Sequence, residues 1–115
     1  MTISERSSGS VCILDVDGPI IIGPAAEQLT DKVRSLLQQG QKQLLINLAR
    51  VSYMDSTGLG AMVHAYATAT RQGGSVKLLN STKKLHDLLV ITKLATVFES
   101  FDSEPVALAS FRAAV

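Results

Sequence analysis

The sequence predicts an α/β fold: a mixed, mostly parallel β-sheet of four to five strands with about four helices. Three observations carry this. Aliphatic and β-branched runs alternate with segments whose apolar residues recur at three- and four-residue spacing. Leu44-Leu45-Ile46 is apolar without interruption, as a strand covered on both faces requires. Of the 115 residues 46% are hydrophobic, and no linker, repeat or low-complexity tract divides them, so one domain spanning residues 1–115 is expected.

The elements follow in order. Ser7-Ser8-Gly9-Ser10 has turn chemistry ahead of the apolar run Val11 to Val16, which predicts a hairpin with a short first strand. Gly18-Pro19 interrupts the sheet, and Ile20-Ile21-Ile22 is expected to return as a short strand before Gly23-Pro24 ends it. Pro24 then suits the first turn of a helix running to about Gln39. In that helix Ala26, Leu29, Val33, Leu36 and Leu37 share one side, and Glu27, Asp31, Lys32, Arg34 and Gln38 the other, with Gly40 as C-terminal cap.

Lys42 to Leu48 is the best central strand. After it, Leu59, Met62, Val63, Tyr66 and Thr70 fall on one helical face closed by Gly73-Gly74, and Val76 to Leu79 forms the next strand. Asn80-Ser81-Thr82 supplies N-cap oxygens to a helix striped with Leu85, Leu88 and Leu89. Val97 to Phe101 is expected as a last short strand, and Glu104 to Val115 as a closing helix with Leu108 and Phe111 facing in.

Composition narrows the function. The formal charge is +1, and aromatic residues make up 4% with no Trp, so neither a field for phosphate backbones nor a stacking platform for bases is supplied. No direct nucleic-acid contact is expected; a protein or small-molecule partner is. The single cysteine, Cys12, lies in an apolar run and reads as a buried small hydrophobe in a reducing compartment. MTISERSSGS lacks the pattern of a secretory signal and no apolar stretch reaches membrane-helix length, so a cytoplasmic protein with no membrane insertion is expected. The two histidines have no metal-ligand spacing, and neither a metal nor a cofactor is implied.

The chemistry concentrates in Met54-Asp55-Ser56-Thr57-Gly58-Leu59-Gly60. In folds of this class the loops leaving the carboxyl ends of strands form the working face. Two loops qualify, Ala49 to Ser56 and Asn80 to Thr82, and both lead into helix N-termini whose free N–H groups favour negative charge. The simplest reading is that Asp55, Ser56 or Thr57 caps the helix. Gly58 and Gly60 ask for more, since each weakens the first helical turn by up to about 1 kcal/mol relative to Ala; close approach of another backbone or of a partner explains the tolerance.

Sharper motifs fit poorly. Val63 stands where a dinucleotide loop needs its third glycine, no Walker lysine follows, and Ser56 has a glycine two residues away on one side only, unlike a hydrolase elbow. His64 and His86 read as helix-surface residues, and Lys83-Lys84 as a solvated pair close to the working face.

The whole pattern resembles the STAS domain of bacterial anti-sigma factor antagonists. VDGPIIIGPAAEQL resembles that family's first strand-to-helix passage, QLLINLARVSYMDSTGLGAMV its signature block, and GGSVKLLNSTKKLHDLLVITKL its later strand-to-helix unit; the signature D-S-[ST]-G-L-G is intact. The resemblance implies a single STAS-like domain that is not an enzyme. It implies phosphorylation at Ser56, with Thr57 as a supporting cap or secondary site, by a partner that is both anti-sigma factor and serine kinase, and reversal by a PP2C-type phosphatase.

It also implies partner contacts at Asp55, Thr57, Gly58, Leu59 and Gly60, at Gly23 ahead of the first helix, and at Asn80 and Ser81 in the later loop. Many family members carry an acidic residue in a G-x-[IL]-D pattern beside the switch serine; Gly18-Pro19-Ile20-Ile21 puts Ile21 there instead. A constitutive interaction module in a signalling scaffold or lipid-transport complex is the alternative that this departure suggests.

Overall fold

A computed structural model describes residues 1–112. Its strands are β1 (Thr2–Ser8), β2 (Val11–Asp17), β3 (Gln43–Arg50), β4 (Ser75–Leu79) and β5 (Ser100–Phe101); its helices are α1 (Pro24–Gln38), α2 (Ser56–Arg71), α3 (Lys83–Ile91) and α4 (Glu104–Arg112). The five strands lie in sequence order in one sheet, with β1–β2 antiparallel and every later pair parallel. This is the mixed, mostly parallel arrangement expected, and β3 is its centre.

Register sorts the core into two layers, because alternate side chains on a strand face opposite ways. Cys12, Leu44 and Val76 align across β2, β3 and β4, as do Leu14, Ile46 and Leu78 two residues on. That row packs against Leu29, Val33 and Leu36 of α1, Met62, Ala65 and Ala69 of α2, and Leu85 and Leu89 of α3. On the other face Val11, Ile13, Leu45 and Leu79 meet Ala107 and Phe111 of α4, with Phe101 and Leu108 packed against them. Cys12 is buried, and desolvation first, then the Glu5 charge, pushes its thiol pKa up, which leaves it protonated and unreactive.

Polar ties hold α4 to its face. The half-exposed Arg6 pairs with both Asp15 and Glu104, while the buried Lys77 donates to Ser110 Oγ at 3.0 Å with its ammonium 4.6 Å from the Phe111 ring centroid. The expected closing helix is observed over Glu104–Arg112, and its last three positions, 113–115, lie outside the described residues.

Three expectations are corrected. Ile20–Ile22 is not a strand: only Ile20 bridges, to Met54, because Gly18 and Gly23 at φ +110° and +104° bend the chain on either side. Val97 and Phe98 belong to a turn in which both N–H groups donate to the Leu94 carbonyl, so β5 is confined to Ser100–Phe101; Phe98 turns inward and meets Tyr66 edge-on at 5.3 Å. Thr70 is exposed, since α2 packs along Leu59, Met62, Ala65 and Ala69 and its small residues let α1 and the sheet approach closely.

The ends of the helices follow their sequence signals. Pro24 opens α1, and Gly40, at φ +87°, closes it with its N–H donating to the Leu37 carbonyl at 3.1 Å. No helix among the described residues is long and apolar enough to cross a membrane.

Candidate functional site

The loops after β2 and β3 are knitted together before α2 begins. Ile20 N–H donates to the Tyr53 carbonyl at 3.0 Å, and Asp55 N–H donates back to the Ile20 carbonyl at 3.4 Å. The Ile20 side chain is wholly buried, which anchors this crossing, whereas Ile21 and Ile22 are left at the surface.

Asp55 is the N-cap of α2, in extended conformation, and its carboxylate does two jobs. Oδ1 accepts the Gly58 N–H at 2.8 Å, satisfying a free donor of the first helical turn, and Oδ2 accepts the Ile22 N–H at 2.9 Å from the neighbouring loop. Hydrogen bonds from Gly58, then Ile22, hold its pKa below the ordinary carboxylate range. Of the capping residues the sequence offered, Asp55 is the one used.

That frees the two hydroxyls. Ser56 and Thr57 occupy the first two positions of α2 and both are exposed. What remains is a reachable primary alcohol at the first position of α2.

The glycines divide. Gly58 is buried under the Ile20 carbonyl, and a Cβ there would collide with that oxygen; the close approach anticipated from sequence is the chain's own backbone. Gly60 is exposed, with open space where a Cβ would stand. Leu59 is buried at the floor of a cleft. Gly23 lies half-buried at the start of α1, without any side-chain cap.

The second loop contributes less surface than expected. Asn80, at φ +57°, donates through Nδ2 to Asn47 Oδ1 at 3.3 Å, and Asn47 in turn donates to Asp15 Oδ1 at 2.8 Å, so its amide is turned into an internal network. The Ser81 hydroxyl oxygen is buried and has no hydrogen-bond partner among the described residues. Thr82 is the N-cap of α3, accepting the Leu85 N–H at 3.3 Å.

Sequence reasoning missed the cleft itself. Between the loop before α2 and the outer side of α3 lies an apolar cleft of about 360 Å³, with Tyr53, Ser56 and Leu59 on one side and Lys84, Leu88 and Ile91 on the other. Ile91 and Ile22 are 78% and 71% exposed, among the largest apolar surfaces described, and both flank the loop that carries Ser56. The available signal was that Val90 and Ile91 are two more aliphatics than the Leu85, Leu88 and Leu89 stripe needs. A shallower groove on the other flank of α2 runs between Glu27, Asp31 and Arg34 of α1 and Thr57, Gly60 and His64.

The chain is similar to known proteins. The profile of the STAS domain matches residues 2–107. The anti-sigma-B factor antagonist of Bacillus subtilis is 43% identical over 75 residues, which cover 65% of this chain and 68% of that protein. Its Staphylococcus aureus counterpart is 36% identical over 73 residues, 63% of this chain and 58% of that protein. The matched segment thus spans less than two thirds of the Staphylococcus protein's length.

Among solved structures, an anti-sigma factor antagonist from Mycobacterium paratuberculosis superimposes with a TM-score of 0.82 at 19% identity, covering 96% of this chain and 93% of that one. The Bacillus cell fate determinant SpoIIAA matches in its phosphorylated form with a TM-score of 0.75 at 20% identity, over 96% and 99% of the two chains. At these identities the structures establish the fold. With that fold, a signature loop at its working face and a profile match over most of its length, this chain belongs to the STAS domain family.

Proposed function

We propose that this protein is an anti-sigma factor antagonist that works by partner switching, with Ser56 as its switch. The unmodified form binds an anti-sigma factor that is also a serine kinase, and so frees the sigma factor; the phosphorylated form lets go until a PP2C-type phosphatase restores the hydroxyl. One observation carries the reading: Ser56 is exposed at the head of α2, beside an apolar cleft, while Asp55 takes over the capping role that a serine there would otherwise serve. The names of the Bacillus and Staphylococcus relatives support it.

The step is a simple transfer. Ser56 Oγ gains the γ-phosphoryl group of ATP, its proton passes to a base on the kinase, and ADP leaves. The group added carries about −1.5 to −2 charge, which takes this chain's formal balance from +1 to about −1. On the free protein the dianion lies at the helix N-terminus, worth about 0.3 to 1 kcal/mol in its favour. In a closed interface, without a cation opposite, it costs on the order of 3 kcal/mol, roughly a hundredfold in affinity.

Docking therefore feels the phosphate and folding does not. The fold matches SpoIIAA in both its unphosphorylated and phosphorylated forms, with TM-scores of 0.72 and 0.75, which supports a switch that leaves the domain intact. Incubation with a cognate anti-sigma kinase and ATP, followed by mapping of the phosphate by mass spectrometry, tests the assignment; modification only at residues other than Ser56 would contradict it.

Ile21 supports a second reading. In place of an acidic residue beside the switch, this chain has an exposed Ile21-Ile22 pair, a surface suited to a constitutive partner in a signalling scaffold or transport complex. Under that reading Ser56→Asp leaves every partner bound as tightly as the native protein; under the switch it releases the anti-sigma kinase.

A further inference from the structure

Lys84 is an unusual cation for its place. It is exposed in the first turn of α3, on the far wall of the cleft that Ser56 lines, and its ammonium stands 5.4 Å from the centroid of the Tyr53 ring. Among the described residues it makes no salt bridge: the nearby carboxylate, Asp87, is paired with Lys83 at 3.9 Å. A lysine head is a compact charge on a flexible four-carbon stem, and the face of a tyrosine holds it weakly.

We propose that Lys84 is the counter-ion this protein carries for a phosphate on Ser56, swinging from the Tyr53 ring to the phosphate when the serine is modified. The proposal rests on Ser56 being the modified residue. A phosphate dianion offers three acceptor oxygens and charge-assisted hydrogen bonds, which outcompete an aromatic face for the same ammonium.

The other charges nearby leave this role to Lys84. The Asp55 carboxylate is adjacent in the chain, but both its oxygens are occupied by the Gly58 and Ile22 N–H groups. Asp87 lies on the same wall of the cleft and is balanced by Lys83. Glu27, Asp31, Arg34 and His64 line the groove on the other flank of α2, with Thr57 rather than Ser56. Within the cleft itself, then, the lining cation among the described residues is Lys84, and the lining acids are Asp55 and Asp87.

The consequence is a two-part signal. Phosphorylation adds charge at Ser56 and, by drawing Lys84 away, uncovers the Tyr53 ring, so a partner meets an altered cleft as well as an anion. Part of the added charge is neutralised inside the monomer, which favours a stable phosphorylated form.

The full chain with phosphoserine placed at position 56 during translation tests this without a kinase. The phosphate's second ionisation is followed by phosphorus NMR against pH at low salt, in the native background and in Lys84→Met, Lys84→Arg and Lys83→Met. The midpoint is expected to rise by roughly half a pH unit in Lys84→Met, and to keep its native value in Lys84→Arg. Lys83→Met is expected to move it much less, and the Tyr53 ring signals to shift on phosphorylation only while position 84 is cationic.

Coincident midpoints for the native and Lys84→Met proteins, or an equal rise in Lys83→Met, overturn the proposal. A failure of the kinase to modify Ser56 would instead strike at the functional reading and leave this titration unaffected.

Discussion

Ile22 and Asp55, 33 residues apart in sequence, are joined by a 2.9 Å hydrogen bond from the Ile22 N–H to Asp55 Oδ2, while the other oxygen of the same carboxylate caps α2. One side chain therefore sets both the start of the helix that carries Ser56 and the position of the apolar edge beside it. Asp55→Ala is expected to lower the thermal midpoint and to loosen the loop before α1. Asp55→Asn, which keeps one acceptor oxygen, should fall between it and the native protein. Thermal melts with amide hydrogen exchange over residues 20–24 and 56–60 check this; equal protection in all three proteins would show that the clamp is not needed.

The two glycines of the signature should respond in opposite ways. Gly58→Ala drives a methyl into the Ile20 carbonyl and is expected to cost about 1–3 kcal/mol of stability. Gly60→Ala meets open space in a helix and should stabilise by up to about 1 kcal/mol. Urea denaturation measures both. If Gly60 is where a partner's backbone comes close, the same Gly60→Ala change weakens binding even as it stabilises the free protein.

Acid should act through two carboxylates. Arg6 first, with help from Asn47, lowers the pKa of Asp15, and Gly58 and Ile22 lower that of Asp55. Because both folded-state values lie below the unfolded ones, their stabilisation is complete above the ordinary carboxylate range and is lost as pH falls through it and through the depressed values. Stability measured by urea midpoint should therefore fall below about pH 4. In Asp15→Asn the fall should be shallower, and an unchanged slope would remove Asp15 from the explanation.

The exposed aliphatics beside the Ser56 loop should matter for binding and not for folding. Ile22→Ser and Ile91→Ser alter side chains that are 71% and 78% exposed, so each should change stability by no more than about 0.5 kcal/mol. Each should weaken the anti-sigma partner about tenfold, or 1.4 kcal/mol, if these side chains are buried on docking. Isothermal calorimetry beside thermal melts separates the two effects.

Much of this was legible in the chain. An unbroken Leu44-Leu45-Ile46 marked the central strand because burial on both faces leaves no alternation to read, Gly40 and Pro24 marked helix ends through local backbone needs, and Asn80-Ser81-Thr82 offered the cap that Thr82 supplies. Position 58 was readable as a close approach, since glycine inside a helical turn needs a reason.

What was not legible depends on contacts between distant segments. The second bond of Asp55 reaches across 33 residues, and nothing local in Ile20-Ile21-Ile22 says that the first is buried and the other two exposed. Ile91 looks like one more core aliphatic until the stripe of α3 is seen to be filled by Leu85 and Leu89. Asn80 read as a surface cap, but its left-handed backbone turns the amide toward Asn47.

The most direct measurement compares the unmodified protein with the same chain carrying phosphoserine at position 56, titrated against its cognate anti-sigma kinase by calorimetry, with thermal melts of both forms alongside. Binding weaker by about a hundredfold or more, with unchanged melting, is the expected result. Equal affinity of the two forms, or a phosphorylated form that no longer folds, would contradict a switch made of one hydroxyl at the head of α2.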